Sequence, residues 1–302
     1  MNFKLQGWQR WTAYGLFAFL AFVFALRQTV PTDAVKERII MEAAAQGWQV
    51  SIADVRPAGL VGVSMRSVSL ESRDGLRIPI EKLDATLRLW PLLLGRRSFN
   101  FDATLFEGHV KGFAEDRKTA RRIYAKVSGV DLSRAVPLRK ATGVDLAGTV
   151  QGDLDLTLDD KEPAKSSGHL DLAVDRAAVN GGEMPIPGMA GALTLPKVAL
   201  GQVTAKGAVR DGRFTFERLE AKSDDIEATG EGLYFVIQPR LAFAPIFGKA
   251  RLKIRDSFWT KSGTSGFRGL VELALAQARG RDGGYGFQVF GTLSQPQARM
   301  AP

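Results

Sequence analysis

Few side chains in this 302-residue chain are of the kinds that make or break covalent bonds. It has two histidines, His109 and His169, and neither lies in a metal-ligand spacing. Cysteine is absent, which excludes disulfides, cysteine-ligated iron–sulfur clusters and thiol nucleophiles. Ser-Gly-Thr-Ser-Gly at 262–266 is not the Gly-x-Ser-x-Gly of a nucleophile elbow. The glycines of 280–286 form neither a GxGxxG nor a GxxxxGK[ST] phosphate loop. Asp153, Asp155 and Asp159 share one face of an alternating stretch, so paired carboxylates could do acid–base work there. Acids alternating along a wet strand face are far more often solvated. The basic run "RKTARRIYAK" at 117–126 offers a single aromatic for a base to stack on, which argues against a nucleic-acid partner. The residues therefore point to a protein that is not an enzyme and has no catalytic, cofactor-binding or metal site.

The chemistry that remains is that of apolar surface beside positive charge. "LRLWPLLLGRR" at 87–97 runs an alternating strand into Trp90, Pro91, Leu92, Leu93 and Leu94, then stops at Gly95, Arg96 and Arg97. Pro91 has no N–H to give a sheet ladder. Three successive leucines cannot all face one side of a strand. They form a turn of helix or touch something apolar, with Arg96 and Arg97 at the rim. Capping the core is the plainer expectation. Contact of Trp90, Leu92, Leu93, Leu94, Arg96 and Arg97 with lipid or a partner is the alternative. The net charge is +9, and residues 86–142 carry 12 Lys+Arg against 5 Asp+Glu. That surplus suits an anionic surface such as lipid headgroups, although a solvated basic face gives the same count.

The elements that position these residues begin with "WTAYGLFAFLAFVFAL" at 11–26, sixteen residues without a charge. This is the short end of what spans a bilayer as a helix, and Trp8, Trp11 and Tyr14 cluster where amphipathic rings favour headgroups. The small-residue motif at 23–25 is a poor cleavage site, so an uncleaved anchor is expected. A short apolar segment ahead of a long domain normally exports that domain. Residues 1–30 thus form a cytoplasmic tip and anchor, and 31–48 form an amphipathic helix, opened by Thr32 with Asp33 and Glu37 and stopped at Gly47.

Residues 49–302 are expected to be a repetitive β domain. In "KLDATLRLW" Leu83, Ala85, Leu87 and Leu89 face one way. In "SFNFDATLF" Phe99, Phe101, Ala103 and Leu105 do the same. In "VDLAGTVQGDLDLTLD" the apolar set is Val144, Leu146, Val150, Leu154, Leu156 and Leu158. Such alternation marks antiparallel strands with one wet face. Gly148, Gly152, Gly207, Gly230 and Gly291 fall on the apolar side, where they let a sheet curl over itself. "DATL" occurs at both 84–87 and 102–105, and repeated strand–turn–strand units suggest a sheet that grows by addition. The expected fold class is mainly β: an elongated, curved antiparallel sheet, an open groove or half-pipe, with an N-terminal transmembrane helix and a short amphipathic helix.

The pattern resembles type II secretion system protein N, the GspN family. The resemblance rests on the single N-terminal membrane segment, "RLWPLLLGRRSFNFDATLFEGHVKG", "VDLSRAVPLRKATGVDLAGTVQGDLDLTLD" and the closing "GGYGFQVFGTLSQPQ". The hydrophobic-Pro-Leu-Leu-x-Gly-Arg element is also similar to one in AsmA and TamB-like envelope proteins. The first resemblance implies a single-pass protein of the bacterial inner membrane with its large domain in the periplasm, acting as an assembly or scaffold component with secretion-machinery partners. The second implies a phospholipid-binding or lipid-transfer protein with an apolar β groove. The first expects an inner face filled by its own side chains, and the second an inner face left open.

Overall fold

The computed structural model describes residues 32–301 apart from 46–47, 60, 73–76, 118, 160, 186–191, 239–242, 262–263, 265, 267 and 294. The apolar segment 11–26 lies outside the described residues. Among the described residues no helix is long and apolar enough to cross a membrane.

The chain opens with α1 (Thr32–Ala45), followed by β1 (Trp48–Ala58), β2 (Gly62–Ser72) and β3 (Arg77–Leu87). A short helix, α2 (Leu89–Leu93), leads into β4 (Arg97–Leu105), β5 (Gly108–Asp116) and β6 (Ala120–Asp131). Next come α3 (Val136–Thr142), β7 (Val144–Asp159), β8 (Ser167–Pro185), β9 (Ala192–Leu195), β10 (Val198–Arg210), β11 (Arg213–Lys222), β12 (Ile226–Val236) and β13 (Ile246–Ile254). The chain closes with α4 (Asp256–Trp259), α5 (Arg268–Ala274), β14 (Tyr285–Gly291) and β15 (Pro296–Met300). The protein is mainly β. One antiparallel sheet runs from β1 to β15 in chain order, and β9 pairs with β8 off that path. The sheet is open, and most neighbours on the path are joined by a hairpin or a short connection; the exceptions are β8 to β10, which passes through β9, β6 to β7, which carries α3, and β13 to β14, which carries α4 and α5 over residues 255–284.

Alternation carries one apolar face across the whole sheet. A single row links Leu83, Ala103, Val110, Val127 and Gly152, and it continues through Leu172, Ala205 and Leu219. On the other face the corresponding row is charged. Asp84, Asp102, Lys111, Lys126, Asp153, Asp171 and Lys206 lie opposite one another in turn. Asp84 faces Asp102, a like-charge pair that is unfavourable by itself. Lys82 Nζ at 2.6 Å from Asp84 and Lys111 Nζ at 3.0 Å from Asp102 offset it.

The apolar set is kept on its face by irregularities that simple alternation does not foresee. In β2 it comprises Val63 and Met65, then Val68 and Leu70, so the pattern skips a residue. Ser67 stands there with φ 50, a left-handed conformation uncommon outside glycine. β3 skips at the same row, from Ile80 to Leu83.

Two knots of core form on this face. Ile52, Met65, Val68, Ile80 and Ala103 make the first, with Ile39 of α1 packed against it. Val209, Phe214 and Ile237 make the second, with Leu156, Leu158 and Leu170 around them. Glycine makes the second possible. A Cβ on Gly207 would stand 2.6 Å from the Phe214 ring, so the ring occupies the space a side chain would need.

The two copies of "DATL" lie on β3 and β4 and run in opposite directions, with Asp84 facing Asp102. They are an echo of strand pattern and not a stacked unit. The helices α4 and α5 lie between β13 and β14, over a stretch where no helix is foreseen, and α4 is the one with buried side chains. Phe258 and Trp259 of α4 are buried and meet edge to face at 4.9 Å. Asp225, wholly buried in the β11–β12 turn, accepts from Lys261 Nζ and, at 2.9 Å, from the Ala199 N–H. That N–H lies where a bulge shifts the β8–β10 register.

Candidate functional site

The leucine run becomes the five-residue helix α2, between the end of β3 and the start of β4. Arg88 precedes it in extended conformation, and its N–H bonds the Ser98 carbonyl at 2.8 Å. Pro91 lies in the first turn, where a missing N–H costs no helical bond. The C-terminus is a Schellman motif. Gly95 has φ +72 and donates to Leu92 O at 2.9 Å, and the Arg96 N–H donates to Pro91 O at 2.9 Å. Six residues thus reverse the chain in a defined shape and project the apolar side chains outward.

Those side chains do not cap the core. Trp90 is 76% exposed, Leu94 63% and Leu92 44%, and Leu89 is exposed too. Side chains in that state fill no interior, so the capping expectation for "WPLLLGRR" is overturned. The sheet ends just below α2, and its apolar face already carries its own row there: Leu87, Phe99, Ala114, Ile123 and Leu156. Leu93 belongs to the helix, and its side chain lies outside the described ones.

Arginines surround this apolar protrusion. Glu115, almost fully buried, takes Arg117 Nε at 2.7 Å and Arg96 Nη1 at 3.7 Å. Arg88 and Arg122 each lie 5.3 Å from the centre of the Phe113 ring, which stacks on Tyr124 at 5.6 Å. Arg122 also grips Asp155 with both nitrogens, Nε to Oδ1 at 3.1 Å and Nη2 to Oδ2 at 2.7 Å. That bidentate hydrogen bond holds the Asp155 carboxyl below the usual carboxylate range against the opposing effect of burial, and it raises Arg122 in turn. Arg97 opens β4 opposite Asp116, and Asp116 lies opposite Arg121. Among the described residues, Arg97 has no ion-pair partner. Ser98 beside it is fully buried, and its Oγ has no hydrogen-bond partner.

Phe99 and Ile123 belong to this end as well, and sequence reasoning did not single them out. Both are exposed large hydrophobics in the last full row of the apolar face. The signal was available: each is the apolar residue of an alternating strand nearest an arginine-rich turn. Val61, in the β1–β2 turn, joins them. It is exposed, and its carbonyl accepts the Leu87 N–H at 3.0 Å.

The groups weighed for catalysis stand apart on the polar face. Asp153 pairs with His169 at 3.0 Å and Asp155 with Arg122, while Asp159 accepts the N–H groups of Lys161 and Glu162 and so shapes a turn. His109 Nδ1 lies 3.4 Å from Thr104 Oγ1. Among the described residues there is no group of three or more His, Asp or Glu side chains that could hold a metal ion.

The arrangement defines a class by its architecture: a single antiparallel sheet with one apolar and one charged face, ending in an exposed apolar turn set among arginines. Comparison with protein-family models, with curated proteins and with solved structures gives no match.

Proposed function

We propose that the sheet is curved into an open groove whose apolar face holds lipid acyl chains, in a membrane-anchored protein of the bacterial envelope. The observation that carries this reading is an apolar face too long for the described helices to cover. Fourteen strands at about 4.8 Å spacing span roughly 60 Å, while a 14-residue helix such as α1 is about 21 Å long. Apolar surface of that extent on a protein is ordinarily a binding surface. Curvature is supported by β10 and β12, which come within 8 Å of each other with β11 between them, and glycines on the apolar side agree with a bend toward that face. A flat sheet would hold them about 9.6 Å apart.

The scaffold reading, an assembly component of type II secretion, asks for an inner face filled by its own side chains. The two core knots fill only part of it, which favours lipid. The test is to purify residues 31–302 without detergent and measure co-purifying lipid by mass spectrometry. Roughly stoichiometric phospholipid is expected, reduced severalfold by Leu156→Asp, which buries a carboxylate among apolar neighbours. A folded, lipid-free domain that instead captures secretion-machinery proteins overturns the groove and leaves the scaffold.

A further inference from the structure

We infer that the α2 end of the sheet docks on an anionic phospholipid bilayer, with Trp90, Leu92 and Leu94 entering the interface and arginines meeting the headgroups. The contact stands on its own residues. Its purpose, the loading or unloading of the groove, rests on the reading above.

The protrusion has the shape and chemistry of an interfacial anchor. Trp90, the most exposed of the three, is the residue type that favours the headgroup layer. Leu92 and Leu94 stand beside it, and the Schellman turn at Gly95 fixes the loop that presents them. Conformational order is therefore already present before contact, and little is lost on binding. A water-exposed Trp–Leu–Leu cluster is unfavourable in a monomer and becomes favourable when a bilayer covers it.

Charge selects the kind of bilayer. The described residues of 88–97 and 115–122 carry six arginines (88, 96, 97, 117, 121 and 122) against Glu115 and Asp116. The opposite end differs. There seven described cations (Arg134, Arg139, Arg255, Lys261, Arg268, Arg279 and Arg281) are interspersed with five acids (Asp131, Asp224, Asp256, Glu272 and Asp282), and the exposed apolar residues Val136 and Leu273 lie on separate elements, α3 and α5. Among the described residues, only the α2 end joins a contiguous apolar protrusion to a cationic surround, the pairing that anionic lipid requires.

Register explains how a docked bilayer would communicate with the groove. Phe99 and Ile123 are in the outermost full row of the apolar face. Two residues farther out on the same face lie Arg97 and Arg121, with Asp116 between them. A lipid whose acyl chains lie along Phe99 and Ile123 therefore has its phosphate level with two guanidinium groups.

The absence of cysteine makes the test direct, since each introduced thiol is unique. Leu92→Cys, Leu273→Cys and Val203→Cys, each in the full-length chain, are labelled with an environment-sensitive fluorophore. They are reconstituted into vesicles of phosphatidylcholine alone or with about 30% phosphatidylglycerol. With phosphatidylglycerol, the label at 92 is expected to shift to the blue and be quenched by brominated lipid, while that at 273 stays open to iodide. Arg96→Glu with Arg97→Glu, or high salt, should lower lipid quenching at 92 about tenfold. Iodide access at 92 in both vesicle types overturns the docking. So does equal lipid quenching at 92 and 273, which marks unspecific collapse onto the bilayer, or quenching at 92 that is indifferent to phosphatidylglycerol. The label at 203, on the apolar face of β10, reports the groove independently. Lipid quenching at 92 without any at 203 keeps the docking and removes the groove, and the reverse result does the opposite.

Discussion

Removing the Phe214 ring should damage one part of the sheet and leave the rest intact. Phe214 is 2% exposed, stacks on Phe235 at 4.8 Å with an 11° tilt, and meets Phe216 edge-on at 4.9 Å. It also covers the space above Gly207, so no neighbour can close the gap without moving the backbone. Phe→Ala at such a site costs about 3–5 kcal/mol. In a compact domain that loss is shared by every residue through cooperative unfolding. Here each strand on the path is bonded only to the strands on either side of it, with β9 added beside β8, so local openings are available at less than the cost of global unfolding. At about 1.4 kcal/mol per tenfold change, hydrogen-exchange protection should fall by roughly 150- to 5000-fold in Phe214→Ala. The fall should be confined to peptides from 198–236 and their immediate partners. Peptides from 48–105, built on the other core knot, should change by less than about threefold. Exchange mass spectrometry reads both. An equal loss in all peptides would show a single cooperative unit and refute the reasoning. No loss at 198–236 would show that the ring is not part of a packed core.

Other expectations follow from particular contacts. Lys261→Ala leaves the buried Asp225 carboxylate with only the Ala199 N–H and should cost about 2–3 kcal/mol by denaturant titration, less than for a fully buried pair because Lys261 is half exposed. Burial pushes the Asp225 carboxyl up, but the Lys261 and Ala199 hydrogen bonds outweigh it and hold the group below its ordinary value. A depressed carboxyl contributes stability that is present above the unfolded pKa, about 3.9, and is lost as pH falls through the lower folded value. The stability gap between the natural protein and Asp225→Asn should therefore be constant from pH 7 to 5 and narrow below about pH 4; a gap that widens in acid contradicts the assignment. Gly95→Ala, at φ +72 with open space around a new Cβ, should cost about 1–2 kcal/mol through backbone strain alone, measured by thermal melting. Gly207→Val should be worse than Gly95→Ala, because its side chain must displace the Phe214 ring; equal melting temperatures for the two would contradict that ranking.

Much of the sheet was legible because period-two alternation survives wherever one face is apolar and the other wet. Leu83 with Ala85, Phe99 through Leu105, and Leu154 through Leu158 all lie on the face their spacing predicts. Legibility failed where the backbone departs from regular pleating. Nothing in "SMRSVSL" announces that Ser67 takes a positive φ and carries the apolar set over by one residue. The helix α4 was hidden because "DSFW" is barely one helical turn, too short to show a period. Arg268 and Glu272, 3.0 Å apart four residues along, were the only clear helical signal in α5. At the leucine run, composition suggested core because leucine usually is core. It could not reveal that the sheet ends below α2, which depends on where the neighbouring strands stop.

The pairing of strands in chain order also governs how the protein can be made. Along the path each strand needs only the preceding path strand as a template, so β2 can pair with β1 as soon as it is available, and the longest wait is that of β13 for β14 across residues 255–284. Contacts this local normally speed folding, and all-β proteins are slow chiefly because they lack them. A chain that appears N-terminus first, whether from a ribosome or through a membrane pore, can extend its sheet hairpin by hairpin. At each stage it exposes one growing edge and not an unpaired set of apolar strands. The same rule makes length a free variable: a hairpin gained or lost adds or removes about 9.6 Å of sheet without rewiring the strands on either side.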